Sequence, residues 1–533
     1  MEHTLDPITI EVLWTRLISV VDEAALTLHR VSFSTVVRES HDYSCMLLDP
    51  TGQAVAQATR SIPSFIGTLP MSVRAFLQRY PAETLKPGDV IISNDPWIGT
   101  GHLPDLTIAA PIFHGATLVG FAGAIAHMAD IGGRRRAPDN KDIYEEGLQI
   151  PILKLNEAGQ RNETLNDIIR QNVRVPDEVS GDIHAMVGAC QRMGTGITDL
   201  LAEYHMADMW GLANRITDLT EQAMRRAIEQ IPDGTYDSIT KIDSFDSSLP
   251  LEMHCRMDVR GDELLVDFAG TSPQNPSPLN SVLGYTQAYS TYALKCVLLP
   301  DVPNNEGNFR PISITAPEGC FLNPAYPAAV EARATVGHYC TSAVFNTLAK
   351  ALPEKVPAES GIPLHGFAMS GWNEERPFST IFFFNGGQGA RPDQDGISTL
   401  SFPTNVSTTP VEVLERGVPV RILDKSYLPG SGGTGKYRGG LGQRVEMEIT
   451  AARPVTLVVL SQRLNFPPVG RNGGANGSLE RILVNEREVE GGLPFRLNQG
   501  DVITLELPGG GGFGAPEERS QELRDADIRD GLA

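Results

Sequence analysis

Apolar residues recur at intervals of three and four from Ile8 to Leu28, which places them on one face of a helix. The pattern therefore predicts an amphipathic helix near the start of the chain. The same helical spacing returns over residues 162–231, 281–298 and 330–351. These three segments are therefore predicted to be mostly helical as well.

A different pattern lies between Asp105 and His127, where no charged residue occurs over a length that could cross a bilayer. The middle of this stretch contains His114-Gly115-Ala116, which is typical of a turn. Two buried strands, at residues 106–113 and 118–126, fit better than a membrane helix. With the turn centred there, residue 103 is expected to face residue 127 across the hairpin.

The last hundred-odd residues show a third pattern, in which short apolar runs alternate with glycine clusters. Such alternation predicts a β-rich domain. A chain of 533 residues also exceeds one ordinary hydrophobic core. We therefore predict a mixed α and β (α+β) protein with several subdomains: an N-terminal metal-bearing α/β region (1–234), a central α/β region (235–410) and a β-rich C-terminal domain with a charged tail (411–533).

Composition narrows the functional classes. The chain has 44 Lys and Arg against 65 Asp and Glu, a net charge of −21, which repels phosphate backbones and anionic membrane surfaces. Neither a nucleic-acid partner nor a membrane is expected. The six cysteines are scattered without a Cys-x-x-Cys pair, so neither a disulfide framework nor a thiolate zinc site is expected. The first residues lack a basic segment followed by an apolar one, so we expect a cytoplasmic protein.

The predicted hairpin brings three residues of metal-ligand type to one end, namely His102, Asp105 and His127. Two imidazoles and a carboxylate are ligands of first-row transition metals. The alternative is that these are polar residues at strand ends that hydrogen-bond to loop backbone. A mixed histidine and carboxylate set accepts manganese, zinc, iron or cobalt, so the sequence predicts one divalent metal of unspecified identity.

A fourth ligand must come from elsewhere in the chain. Asp42 is the best remote candidate because it stands at the start of a predicted strand, and Asp95 and Asp130 are rivals that spacing alone does not separate from it. A basic cluster that begins with Arg134 and Arg135 follows closely. Such a cluster is either a solvated loop or, beside a metal, a binding site for an anionic group of the substrate.

The stretch Gly430–Lys436 satisfies the first part of a phosphate-binding loop. However, Tyr437 stands where a Ser or Thr hydroxyl would bind magnesium, and the glycines that follow do not favour the helix that would hold phosphate. We therefore expect no ATP site here. The glycines are predicted to form tight turns in the β-rich domain.

Around these motifs the sequence resembles the hydantoinase B family. That family includes the smaller subunit of ATP-dependent N-methylhydantoinase and of caprolactamase, the C-terminal half of 5-oxoprolinase and the acetone carboxylase α subunit. The most specific blocks are Gly101–Asp105 and His127–Gly133. The segments that carry the resemblance are His41–Gln57, Gly88–Ile112, Gly120–Gly133, Glu146–Lys154, Asn172–Ala185, Asp267–Gln274, Pro300–Pro311, Gly432–Gly442 and Leu507–Gly514.

The resemblance implies a metal held by His102, Asp105 and His127, with Asp42 completing the set. It also implies a larger hydantoinase A-type partner that uses ATP to phosphorylate the carbonyl oxygen of a cyclic amide. The present chain would perform the second half-reaction within a hetero-oligomer. Asp130 would orient a histidine or act as a general base, and Asp95 is a further candidate catalytic residue.

Three functions are compatible with these patterns. The first is the metal-dependent subunit of an ATP-dependent hydrolase that opens a hydantoin, 5-oxoproline or lactam ring. The second is the α-type subunit of an ATP-dependent ketone carboxylase, and the third is a non-catalytic structural subunit. The chain is shorter than the carboxylase α subunits, which favours the hydrolase.

Overall fold

The structure is a computed structural model that describes residues 6–134, 137–245, 250–361, 365–489 and 494–532. It confirms a mixed α and β protein built from several sheets. The helices are α1 (Pro7–Val31), α2 (Thr35–Arg38), α3 (Thr68–Arg79), α4 (Glu163–Asn172), α5 (Pro176–Glu203), α6 (Trp210–Ile228), α7 (Leu283–Leu298), α8 (Arg333–Leu348), α9 (Val411–Gly417) and α10 (Gln521–Arg529).

The strands divide among four sheets. They are β1 (Tyr43–Leu48), β2 (Ala54–Gln57), β3 (Val90–Ser93), β4 (Asp105–His114), β5 (Thr117–His127), β6 (Leu153–Glu157), β7 (Gln160–Arg161), β8 (Gly234–Ile242), β9 (Leu251–Arg260), β10 (Glu263–Asp267), β11 (Ile312–Thr315), β12 (His365–Asn373), β13 (Arg376–Phe384), β14 (Val420–Tyr427), β15 (Gln443–Ile449), β16 (Val455–Val459), β17 (Arg481–Val484), β18 (Arg487–Glu488), β19 (Phe495–Leu497) and β20 (Val502–Glu506).

The N-terminal sheet has the order β2-β1-β5-β4-β3-β6-β7. Its centre is the hairpin β4–β5, so the uncharged stretch that resembles a membrane span is a pair of buried strands, as predicted. Within the described part of the chain, no helix combines the length and apolar character that crossing a membrane requires. Helices α1 and α5 cover one face of this sheet.

The predicted register of the hairpin is wrong by two residues. Asp105, not residue 103, faces His127. The hairpin turns through only two residues, because His114 pairs with Thr117, and a bulge between Ile112 and Phe113 adds one further residue on the β5 side. Such a bulge shifts every pair beyond it by one position, and sequence periodicity does not reveal it.

The Asp6 side chain caps the N-terminus of helix α1. The Asp6 side chain accepts hydrogen bonds from the backbone N–H groups of Ile8 and Thr9, and Pro7 occupies the first turn, where its missing N–H costs nothing. The centre of its apolar face, which includes Leu13 and Leu17, is fully buried, whereas Ile8 at its start is exposed. The helix packs on α5, so the amphipathic pattern becomes part of the core.

The second sheet, β11-β10-β9-β8, follows the helical segment and packs with α7 and α8. One hydrophobic core contains residues of both the predicted N-terminal and central regions, such as Ile10 and Val356, and it also includes Val458 and Leu460 of the C-terminal region. Strand β8 begins at Gly234, the predicted boundary. The division between these regions stays a prediction, since they share this core.

The C-terminal part is β-rich, with sheets of the order β13-β12-β16-β19 and β14-β15-β20-β17-β18. The hairpin β12–β13, which lies before residue 411, pairs with β16 through residues such as Ala368 and Val458. Phe367 and Phe382 join the second hydrophobic core, together with Val445. These strands therefore pack with the C-terminal sheets although the sequence separates them from that region.

The glycine clusters of the C-terminal part serve close backbone contact more than turns. A Cβ at Gly440 would lie 2.1 Å from the Ile397 carbonyl oxygen, and one at Gly387 would lie 1.9 Å from the Gly440 carbonyl oxygen. The Gly440 N–H donates to the Gln388 carbonyl at 2.8 Å. Only residues without a side chain allow backbones to approach this closely. Gly430, with φ of 71°, does adopt the left-handed conformation typical of a turn.

Candidate metal centre

Three strands bring the candidate ligands to one end of the N-terminal sheet. Asp105 begins β4 and faces His127, the last residue of β5. Strand β1 pairs with the other edge of β5, and the His127 N–H donates to the Asp42 carbonyl at 3.0 Å. His102 lies three residues before β4. Chain segments remote from one another in sequence therefore converge because their strands end together.

The side chains of His102, Asp105 and His127 form a compact buried cluster. Asp105 Oδ1 lies 2.7 Å from His102 Nε2 and 2.8 Å from His127 Nδ1. The two imidazole rings are 5.0 Å apart between centroids and inclined by 52°. All three side chains thus direct ligand atoms toward one small volume, and these atoms lie within 4.8 Å of one another.

Asp42 lies beside this cluster at a greater distance. Its Oδ2 is 4.0 Å from His127 Nδ1, and its side chain is 13% exposed, whereas Asp105 is fully buried. Asp42 is therefore on the solvent side of the group. Its role as fourth ligand stays a prediction, and its position is compatible with that role.

Arg333, at the start of α8, was not identified from the sequence, and it is the main counter-charge of the cluster. Its guanidinium donates to Asp105 Oδ2 and to the Tyr285 hydroxyl, and its central carbon lies 4.0 Å from the centre of the Tyr285 ring. Because Arg333 binds Oδ2 of Asp105, the other oxygen, Oδ1, is the one that contacts the two histidines. One signal was available: Arg333 is a basic residue at a helix N-terminus, where the helix dipole disfavours positive charge.

Burial and the Arg333 charge lower the pKa of His102 to about 3, so its imidazole is neutral at physiological pH. Burial raises the pKa of Asp105, but the charge of Arg333 and the hydrogen bond of His127 outweigh this effect and hold the Asp105 pKa well below its usual range. Neutral imidazole and ionised carboxylate are the protonation states that bind metals. In addition, His127 Nε2 is buried without a hydrogen-bond partner among the described residues. The residues present therefore fit a divalent transition metal.

Two buried glutamates, Glu331 and Glu146, fix the orientation of the His102 ring. Its Nδ1 lies 3.3 Å from the Glu331 carbonyl, an acceptor that directs the other ring nitrogen toward Asp105. The Glu146 carboxyl accepts hydrogen bonds from the N–H groups of Val330 and Glu331 at 2.8 and 2.9 Å. Burial, with the nearby Glu331 carboxylate, raises the pKa of Glu146 to about 9. A protonated Glu146 thus holds the loop that orients His102, a role that no sequence pattern indicated.

The two candidate catalytic aspartates occupy different surroundings. Asp95 shares a small cavity with Asp105 and Thr107; its Oδ1 accepts a hydrogen bond from the Trp97 N–H, and burial raises its pKa. Asp130 is fully buried and accepts hydrogen bonds from the Arg174 guanidinium at 2.6 Å and from the Arg174 N–H. The structure therefore places Asp95 in a small cavity that Asp105 also lines, and it pairs Asp130 with Arg174. The catalytic role of either residue stays a prediction.

The basic cluster is only partly described. Arg134 pairs with Asp139 and Glu145, each at 2.6 Å, on the protein surface. Hydrogen bonds to Asp139, and to a smaller extent to Glu145, raise the pKa of Arg134. Arg135 lies outside the described residues. Substrate binding by either arginine stays a prediction, and Arg134 would have to exchange its acidic partners for the substrate.

Comparison with known proteins adds independent information. The model of the family described as hydantoinase B/oxoprolinase matches residues 6–516. A putative D-/L-hydantoinase subunit from Pseudomonas sp. (strain NS671) is 31% identical over 99% of this chain and 93% of its own length.

Two solved structures share the fold. The crystal structure of ATP-dependent caprolactamase from Pseudomonas jessenii matches 99% of this chain and 95% of its own, with a TM-score of 0.91 and 29% identity. A nucleotide-free acetone carboxylase structure matches 99% of this chain and 79% of its own, with a TM-score of 0.90. At 19% identity this second match concerns the fold alone.

Proposed function

The chain belongs to the hydantoinase B/oxoprolinase family, and we propose that it is the metal-dependent subunit of an ATP-dependent cyclic-amide hydrolase. The substrate class is a hydantoin, 5-oxoproline or lactam ring. The observation that carries the proposal is the buried cluster of His102, Asp105 and His127. The caprolactamase likeness, at 29% identity along nearly the whole chain, supports the cyclic-amide class.

In this proposal His102, Asp105 and His127 hold one divalent metal, with Asp42 as the fourth ligand. When bound, such an ion lowers the pKa of water and stabilises a developing oxyanion. Arg333 keeps Asp105 ionised and in place by binding its Oδ2. The Glu331 carbonyl fixes the His102 ring, and Asp95, which lines a small cavity with Asp105, is the candidate general base.

ATP would be used by a hydantoinase A-type partner, which activates the substrate by phosphorylating its carbonyl oxygen. A relative named as one subunit of a hydantoinase supports the existence of a partner. The glycine-rich stretch ending at Lys436 agrees with this division of labour. Tyr437 forms a β-bridge with Phe513 at the position where a phosphate-binding loop would continue into a helix.

The proposal is tested by metal content and by reconstitution. Elemental mass spectrometry of the purified wild type should find about one first-row metal per chain, and the His102→Ala/His127→Ala variant should lose it. His114→Ala is the matched control, because His114 lies at the opposite end of the same hairpin. A metal-free, folded wild type, or equal metal in wild type and the double variant, would contradict the metal centre.

Activity separates the proposal from its alternatives. The isolated chain should open no ring, whereas the chain with its A-type partner and ATP should open one. Ring opening by the isolated chain without nucleotide would rule out the two-subunit mechanism. Bicarbonate-dependent ATP consumption with a ketone would select the carboxylase instead. Full activity of the complex after His102→Ala would select a structural subunit.

A further inference from the structure

A loop of residues 94–104 joins β3 to β4 and carries His102 near its end. All of these residues are described, and none of them belongs to a helix or a strand. The backbone of the loop makes two hydrogen bonds to itself, and both are long at 3.4 Å. The backbone alone therefore holds the loop weakly, although a metal ligand needs a fixed position.

The side chain of Asn94, the first residue of this loop, closes the base of the loop. Its amide nitrogen donates to the Leu103 carbonyl at 2.8 Å and to the Leu148 carbonyl at 2.9 Å. Its Oδ1 accepts a hydrogen bond from the Ile150 N–H at 2.6 Å. Both amide hydrogens and the oxygen of this buried carboxamide thus have partners. No other standard side chain of this size offers two donors and an acceptor in one plane.

The two carbonyl groups that Asn94 binds belong to the two supports of His102. Leu103 follows His102 directly in the chain. Leu148 lies two residues after Glu146, whose carboxyl holds the backbone at Glu331, and the Glu331 carbonyl in turn lies 3.3 Å from His102 Nδ1. One carboxamide therefore fixes the backbone beside His102 relative to the segment that orients the His102 ring.

We propose that Asn94 is a positioning residue of the metal centre, whose carboxamide keeps His102 directed toward Asp105 and His127. The inference rests on the proposed function, since it concerns the affinity of the cluster for a divalent metal. Groups that orient metal ligands typically contribute about 10–100-fold to metal affinity. Alanine at this position would leave two carbonyl groups and one N–H without their partner. The loop would then be free to move His102 away from the other ligands.

A buried carboxamide also stabilises the fold, so the test needs a control with the same chemistry at another place. Asn305 is 1% exposed, its amide donates to Thr220 Oγ1 at 2.8 Å, and its Oδ1 accepts from the Gly307 N–H at 2.9 Å. The adjacent Glu306 binds the N–H of Ala54, which pairs with the last residue of β1. Asn305 therefore lies toward the end of β1 opposite to the metal centre, and its loss should affect stability alone.

The test titrates the full chain with Co²⁺, which a mixed histidine and carboxylate site accepts. Competition with a chelator gives the affinity, and the visible d–d absorption reports the arrangement of the ligands. Asn94→Ala should bind Co²⁺ about tenfold or more weakly than wild type and with an altered spectrum. Asn305→Ala should keep the affinity and the spectrum of wild type, even where urea unfolding shows that it is less stable. Asn94→Ser keeps one donor and should also weaken binding, so the comparison stands if Asn94→Ala fails to fold.

Two results would overturn the positioning role alone. One is a folded Asn94 variant with the Co²⁺ affinity and spectrum of wild type, which would leave Asn94 with a purely structural role. The other is an equal loss of affinity in Asn305→Ala, which would assign the effect to general destabilisation. A folded wild type that binds no Co²⁺ would contradict the metal centre itself and the positioning role with it. The wild-type titration therefore separates a failure of the proposed function from a failure of this inference.

Discussion

Arg333→Met is the most informative single perturbation of the metal centre. Methionine has a similar length but no charge, so the change leaves Asp105 Oδ2 as a buried carboxylate oxygen without its guanidinium partner. Removing one partner of a buried ion pair costs about 3–5 kcal/mol, because the remaining charge is uncompensated. The stacking of Arg333 over the Tyr285 ring is lost at the same time. We expect the metal-free variant to lose about 3–5 kcal/mol of unfolding free energy.

The assay is urea unfolding followed by circular dichroism, with chelator and then with a saturating divalent metal. A bound dication supplies Asp105 with another counter-charge, so the deficit of Arg333→Met should shrink when metal is present. Arg333→Met/Asp105→Asn removes both charges and should be less destabilised than Arg333→Met alone. A loss below about 1 kcal/mol, or a double variant that shows the sum of the two single losses, would refute the ion-pair reasoning.

Two further predictions concern stability. Glu146→Gln should resemble wild type near pH 5, because the native Glu146 carboxyl keeps its proton at a pKa of about 9. Between pH 5 and 9 the unfolded chain binds fewer protons at this site than the native protein, so wild type should lose stability by at most about 1.4 kcal/mol per pH unit, and Glu146→Gln should not. Parallel pH profiles of the two proteins would contradict the raised pKa. Gly440→Ala should destabilise the protein by about 3 kcal/mol or more in thermal or urea unfolding, since its Cβ would lie 2.1 Å from the Ile397 carbonyl oxygen. Gly417→Ala, where a Cβ meets nothing within 4 Å, should change stability by less than about 1 kcal/mol, and equal effects at both glycines would contradict the close-packing explanation.

The sequence by itself determined the local elements and singled out the three residues that form the buried cluster. Helical spacing identified α1, and the turn within the uncharged stretch identified β4 and β5, because both signals arise from neighbouring residues. The proximity of Asp105 and His127 followed from the hairpin even though its register was wrong by two residues. A bulge and a tight turn altered the pairing without carrying the ligands away from one another.

Only the tertiary structure decided which remote groups complete the site. Arg333 contacts Asp105 across 228 residues of chain, and Glu331 bonds to Glu146 across 185. Such contacts arise from the packing of separate elements, and no local periodicity encodes them. The same holds for Gly440, whose role depends on which backbone lies against it. Periodicity and turn chemistry act between neighbours in sequence, whereas counter-charges and close contacts depend on elements that meet only when the chain folds.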